Sequence, residues 1–219
     1  MIALLVMTDG RRDCIERTIP EALWNLRGSI TRRVIHDDSG DPTYRAWLQE
    51  RFPTFEVIGR EHRHGFGGAI QHAWRHVSQL EEPYVFHLED DFLINRPVEL
   101  AAMADVLRAW PHLTQLALLR QAVNDQERAA GGVIEQHPHD YALIRWRGYA
   151  WRQHRRHWTT NPSLYRRSLC VGGWPDGPES EGRFGVDLFA EHPQLCAAYW
   201  GDSGEWARHI GDVRAGNGY

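Results

Sequence analysis

Residues 84–92 read YVFHLEDDF. Tyr84 to Leu88 has the length and composition of a short buried strand. Glu89, Asp90 and Asp91 then stand side by side, and Phe92, Leu93 and Ile94 resume the apolar run. Three adjacent carboxylates repel one another and interrupt a segment that otherwise favours burial. A bound cation gives such a triplet a purpose, since carboxylate oxygens are hard ligands suited to Mg²⁺ or Mn²⁺. The plainer alternative is a solvated turn whose acids cap the following helix.

Outward from this stretch, short apolar runs alternate with helical patterns. Strand-like runs fall at 2–7 (IALLVM), 32–38 (RRVIHDD), 55–59 (FEVIG) and 113–119 (LTQLALL). Helical spacing appears at 12–26, 42–52, 67–80 and 98–110. Pro20 is expected to start or kink the first of these helices. Asp41 followed by Pro42 reads as an N-cap and first-turn proline. Such alternation predicts an α/β fold, Rossmann-like and doubly wound, with a mostly parallel sheet. After residue 120 the periodicity degrades. Residues 120–180 are rich in Arg, Trp, His, Gly and Pro and read as a smaller subregion on the same sheet.

The 219 residues suffice for one sizeable core, so 1–219 is read as a single domain. A formal net charge of −4 argues against a polycation that coats nucleic acid. All 25 basic residues are Arg, a bias that GC-rich coding explains as readily as phosphate binding does. Cys14, Cys170 and Cys196 are odd in number and widely spaced, which suggests neither a zinc ribbon nor a disulfide framework and fits a cytoplasmic setting. The apolar run at 2–7 is too short for a signal core or a membrane span, so no membrane segment is expected.

Ligands of open α/β sheets sit outside the carboxyl ends of the strands. Here those ends carry Thr8-Asp9-Gly10-Arg11-Arg12, Asp37-Asp38-Ser39-Gly40, Arg60-Glu61-His62-Arg63 with Gly65-Phe66-Gly67-Gly68, and Glu89-Asp90-Asp91. Four polar ends in succession define one crowded rim. The Gly65–Gly68 segment, placed before a helix, reads either as a phosphate-approaching loop or as a tight turn.

The order VIHDDSGD, GFGGAIQHAW, FHLEDDF resembles the nucleotide-diphosphosugar transferases of the GT-A fold, particularly the family 2-like glycosyltransferases. The resemblance covers residues 1–120 in order and resumes at NPSLYRR (161–167), GGW (172–174), 179–189 and HIGDVRAGNGY (209–219). It implies a nucleotide-sugar-binding half (1–120) and an acceptor and catalytic half (121–219). It further implies that Thr8 and Asp9 lie beside the nucleoside and that Asp38 bonds a pyrimidine base, which favours a UDP-sugar. Arg63, Gly67 and Gly68 complete the donor pocket, with Glu89 and Asp90 on the ribose side. Asp91 and the late His209 hold Mn²⁺ or Mg²⁺.

Sugar transfer needs a base to deprotonate the acceptor hydroxyl, and one base suffices for inversion. Asp176, Glu179, Glu181 and Asp187 are the available carboxylates. The resemblance places the base at Glu181, although the family's adjacent Glu-Asp pair is missing; Glu179 and Asp187 remain alternatives. Residues 145–167 carry seven Arg interleaved with Trp146, Tyr149, Trp151, Trp158 and Tyr165. Trp151, Arg155, Asn161 and Tyr165 are accordingly candidates for acceptor binding, with a hydroxymethylated DNA base as one possible acceptor. A solvated hairpin with buried aromatics accounts for the same pattern.

Overall fold

The computed structural model describes residues 1–177 and 179–211. The first half contains β1 (Ile2–Thr8), α1 (Arg12–Asn25), β2 (Leu26–Arg27), β3 (Ile30–Asp37), α2 (Pro42–Arg51), β4 (Glu56–Gly59), α3 (Gly65–Val77), β5 (Tyr84–Glu89), β6 (Phe92–Ile94), β7 (Val98–Glu99), α4 (Leu100–Ala109) and β8 (Leu113–Leu118). After these come α5 (Asp125–Ala130), a 3₁₀ turn (Pro138–Asp140), β9 (Ala142–Trp146), β10 (Tyr149–His154), β11 (Ser163–Arg166), α6 (Ser168–Val171), α7 (Ser180–Glu191), β12 (Cys196–Trp200) and β13 (Ala207–His209).

A nine-stranded sheet in the order β4-β3-β1-β5-β11-β8-β12-β10-β9 organises the chain. β1 runs parallel to β3 and β5, β3 to β4, and β12 to β8. β11 enters antiparallel between β5 and β8. Strand order reverses about β1, with β3 on one side and β5 on the other, which is where open α/β sheets form a crevice.

β1 shows why the sheet carries layers on both faces. All seven of its residues are buried. Ile2, Leu4 and Val6 join a core with Ile15 and Ile19 of α1, Leu48 of α2 and Met103 of α4. Ala3, Leu5 and Met7 point the other way, into a core with Ile70 and Trp74 of α3, Trp158, Tyr165 and Trp174. A strand covered on both faces reads as a continuous apolar run, which IALLVM is.

The sequence expectations are refined at three places. Pro20 does not start α1 but lies inside it, and the helix continues to Asn25. Pro20 and Glu16 are both exposed, so water can reach the carbonyl that the proline leaves without an amide partner. Gly65 to Gly68 do not precede α3 but form its first turn. The hairpin reading of 145–167 holds: the stretch supplies the β9–β10 hairpin and β11, joined by residues 155–162 without regular structure. The hairpin turns through Arg147 (φ 49°) and Gly148 (φ 84°), the left-handed pair that a tight two-residue connection requires. No helix among the described residues is long and apolar enough to cross a membrane.

Candidate active site

The four polar strand ends are bonded into one rim. The Asp38 amide donates to Thr8 O (2.9 Å), and the Asp90 amide donates to Met7 O (2.9 Å). The Thr8 hydroxyl donates to Asp90 Oδ2 (2.6 Å) and pairs with the Tyr44 hydroxyl (2.7 Å). Arg63 Nη2 reaches Asp9 Oδ2 at 2.5 Å, tying the loop after β4 to the loop after β1. The His64 amide donates to Asp38 Oδ1 (3.0 Å), and burial raises the Asp38 carboxyl despite that bond.

Arg11 supplies a positive charge at the acid triplet. Gly10 takes φ 103°, a left-handed turn that returns the chain over the sheet edge. From there Arg11 Nη1 donates to Asp91 Oδ2 (2.5 Å), and Nη2 donates to Asp90 Oδ1. Its Nε lies 3.3 Å from Asp9 Oδ1. The two adjacent acids therefore differ. Asp90 has both oxygens engaged, by Arg11 and Thr8, yet complete burial still pushes its carboxyl up to about 7. Asp91 is also buried, but its Oδ1 has no hydrogen-bond partner. Burial works against its charge, while the His209 hydrogen bond and Arg11 together draw its carboxyl below the usual value.

His209 reaches Asp91 from the far end of the sequence. β13 pairs antiparallel with β6, opposing His209 to Phe92. The Ile210 amide donates to Asp91 O (2.7 Å). Gln121 clamps His209 on both sides, its Nε2 donating to His209 O (2.8 Å) and its Oε1 accepting from His209 N (2.9 Å). The His209 Nε2 then lies 3.1 Å from Asp91 Oδ2.

Glu181 sits in the first turn of α7, and its Oε1 accepts from the Thr160 amide (2.6 Å) and hydroxyl (3.1 Å). Thr160 also works against the rise of the Glu89 carboxyl. Burial first, then the charges of Asp91 and Glu181, hold the Glu89 carboxyl well above the ordinary carboxylate range. Glu181 is thus electrostatically coupled to the acid triplet. Glu179, Asp176 and Asp187 are exposed. Asp187 faces a separate cavity of about 700 Å³ lined by Leu113, Thr114 and Leu195, at the amino-terminal ends of β8 and β12.

Several sequence candidates have structural roles instead. Gly67 faces the 175–180 segment: a Cβ there would lie 3.1 Å from Ser180 Oγ and 3.4 Å from Gly177 O. Its small size serves helix-to-loop contact. Gly68 would place a Cβ against His64, one turn earlier. Trp151 and Tyr165 are corrected as acceptor contacts, since both are fully buried. Trp151 packs on Trp110 with centroids 5.2 Å apart. Tyr165 accepts a hydrogen bond from Trp74 Nε1 (3.1 Å). Arg155 donates to Leu195 O (2.8 Å), Phe189 O (2.5 Å) and Pro193 O, tying down the carboxyl end of α7. Asn161 is half-buried beside Thr160. Residues 212–219 of the C-terminal stretch lie outside the described residues. The open aromatics of 145–167 are at the hairpin tip, where Trp146, Tyr149, Trp200 and Trp206 line a cleft of about 480 Å³ with Arg145 and Asp202.

Arg11, Gln121 and Thr160 were missed by sequence reasoning. An acid triplet with no basic neighbour in sequence signals that some remote arginine must answer it. Nothing marks Gln121 or Thr160, single residues in an aperiodic region. Among the described residues no three His, Cys, Asp or Glu gather as a ready metal cage. Asp91 and His209 offer two donors of a chemistry that suits a divalent cation, and Asp91 Oδ1 is buried without a hydrogen-bond partner. Mg²⁺ sites of one or two protein ligands are usual where substrate phosphates complete the shell.

Neither a protein-family model nor a curated protein sequence matches the chain. Solved structures do match its shape. A mannosyltransferase from Pyrobaculum calidifontis, in complex with GDP-Man and Mn²⁺, superposes with a TM-score of 0.62 at 16% identity, over 97% of this chain and 57% of that one. S. aureus TarS 1-349 in complex with UDP-GlcNAc gives a TM-score of 0.66 at 18% identity, over 98% of this chain and 59% of that one. The same protein with UDP gives 0.65 at 18% identity, over 94% and 59%. The chain therefore spans less than two thirds of the length of each. Its sheet order, its layers and these superpositions together show that the chain has the GT-A fold of nucleotide-sugar transferases.

Proposed function

We propose that the chain transfers a sugar from a nucleotide-diphosphosugar to an acceptor hydroxyl, with inversion at the anomeric carbon. The observation that carries this reading is the bonded rim, in which the ends of β4, β3, β1 and β5 converge, with Glu181 held by Thr160 and its charge felt at Glu89. In this reading the donor nucleoside lies by Thr8, Asp9 and Asp38, with Arg63 at the diphosphate. Glu89 lies on the ribose side. Asp90 anchors the strand end instead of binding ligand, because both its oxygens are engaged.

Asp91 and His209 would hold a divalent cation, Mn²⁺ or Mg²⁺. When bound, such an ion neutralises the charge that collects on the departing diphosphate. Glu181 takes the proton of the attacking hydroxyl, and the Thr160 amide and hydroxyl fix its Oε1 for that task. The neighbours' complexes with GDP-Man and with UDP-GlcNAc make both nucleotides worth testing; Asp38 beside the base favours UDP. The acceptor is placed at the hairpin-tip cleft, whose aromatic faces suit a sugar ring. A hydroxymethylated DNA base is the less favoured acceptor. Arg155, Arg166 and Arg167 of the basic stretch bond main-chain carbonyls and are not arrayed for a phosphate backbone.

The test is release of nucleoside diphosphate from UDP-GlcNAc or GDP-mannose with Mn²⁺, comparing the unaltered chain with Glu181→Gln. Turnover is expected to fall by roughly 10²–10⁴-fold, with nucleotide-induced thermal stabilisation retained. Equal turnover would remove Glu181 as the base. No nucleotide-dependent stabilisation of either chain would remove the transferase reading.

A further inference from the structure

Arg11 occupies the position that a cation bound to Asp91 needs. Its Nη1 lies 2.5 Å from Asp91 Oδ2, the same oxygen that meets His209 at 3.1 Å. Arg11 and His209 together take both lone-pair sites of Oδ2, so a divalent ion of the Mg²⁺ class, which takes its oxygens at about 2.0–2.1 Å, reaches Oδ2 only when one of them moves off. The space around the pair is closed as well. Gly211 lies so near that a Cβ there would collide with Asp91 Oδ2 and stand 3.2 Å from Arg11 Nη1. Yet the Arg11 side chain is 24% exposed, whereas the acids it joins are buried. The guanidinium is therefore the movable member. An arginine is always charged and suited to gripping either two carboxylates or a diphosphate. Arg63, already bound to Asp9 on the same rim, is a second guanidinium beside that route.

We propose that Arg11 is a resident counter-cation that competes with the divalent ion for Asp91, so that the ion binds well only when a nucleotide diphosphate offers Arg11 another anion. The inference rests on the transferase reading and adds an order of binding to it. Without nucleotide, Arg11 neutralises Asp90 and Asp91 and keeps the acid triplet folded. With nucleotide, the guanidinium transfers to the diphosphate oxygens, and Asp91 Oδ2 joins the orphaned Oδ1 as a cation ligand. No covalent bond changes. By linkage, the factor by which nucleotide strengthens ion binding equals the factor by which ion strengthens nucleotide binding.

Free Mn²⁺ can be followed by electron paramagnetic resonance during titration with MnCl₂ alone, with MnCl₂ plus UDP and with MnCl₂ plus GDP. The unaltered chain is expected to bind Mn²⁺ weakly alone and at least roughly tenfold more tightly with one nucleotide. Arg11→Gln is expected to bind Mn²⁺ alone roughly tenfold more tightly than the unaltered chain, and to lose thermal stability that Mn²⁺ restores. If Arg11→Gln does not fold without metal, Arg11→Gln combined with Asp90→Asn removes one repelling charge and is expected to show the same gain. Equal affinity for Mn²⁺ alone in variant and unaltered chain, with nucleotide-supported Mn²⁺ binding intact, overturns this proposal and leaves the transferase reading standing. No Mn²⁺ binding by any of these proteins, with or without either nucleotide, overturns both.

Discussion

The two ends of the chain use the same residue types for different purposes. In the first 120 residues, Arg11, Arg45, Arg63 and Arg120 each meet a carboxylate. In residues 145–167, Arg152, Arg155, Arg166 and Arg167 donate to main-chain carbonyls of Asp202, Leu195, Leu113 and Ser78. The tryptophans divide by face of the sheet instead. Trp47, near the rim, carries Arg12 over its ring at 4.8 Å. Trp74, Trp158 and Trp174 form a buried cluster with Tyr165 and Phe184, with ring centroids 4.7–5.8 Å apart. Position in the fold, more than residue type, decides whether an arginine answers a carboxylate or holds main-chain carbonyls, and Arg145 and Arg156 still meet Asp202 and Asp140. The stretch that looks most like a binding strip in sequence is largely scaffold.

The sharpest way to break that comparison is to truncate the aromatic cluster. Trp74 is fully buried and touches Trp158, Tyr165, Trp174 and Phe184. Trp74→Ala should cost about 3–5 kcal/mol of stability by urea denaturation, as a large buried aromatic does. A loss below about 1 kcal/mol would mean that these rings are not the core of that sheet face.

A smaller effect sharpens the comparison by acid titration. Burial pushes His36 and His87 in the first half, and His154 in the second, down to about 3, and His157 down to about 4. These groups are neutral when folded and take up protons near pH 6.5 when unfolded. Their contribution to stability is therefore full above about pH 6.5 and is lost as pH falls toward 3–4. Each of these buried histidines steepens the fall by up to about 1.4 kcal/mol per pH unit. Denaturation at a series of pH values should show this slope, and His36→Gln and His154→Gln should each flatten it. A stability independent of pH between 6.5 and 4.5 would contradict the burial of these rings.

The legible part of the molecule is the part with period. IALLVM, RRVIHDD, FEVIG and YVFHL each became a strand of the main sheet, and Asp41 caps α2 by accepting from the Thr43 amide at 2.8 Å. Because strand ends are set by those runs, Thr8, Asp9, Asp38, Arg63 and the acid triplet fall together on the rim, as the spacing predicts. What the sequence could not reveal is contact between distant single residues. Arg11 lies 80 positions from Asp91; His209, 118 positions away, was paired with Asp91 only through the family resemblance. The β9–β10 hairpin was obscured because its strands mix buried and exposed positions irregularly: Trp151 and His154 turn inward while Arg145, Arg147 and Tyr149 stay outside. The glycines of α3 read as a phosphate loop because glycine serves close packing and phosphate approach equally well.

Calorimetric titration of UDP and of GDP, each with Mn²⁺, into the unaltered chain and into Asp91→Asn most directly tests whether the rim after β5 holds a cation against a diphosphate. Manganese should strengthen nucleotide binding to the unaltered chain by roughly tenfold or more, and Asp91→Asn should abolish that gain. If Asp91→Asn binds nucleotide and manganese as tightly as the unaltered chain, the acids at 89–91 serve only the fold.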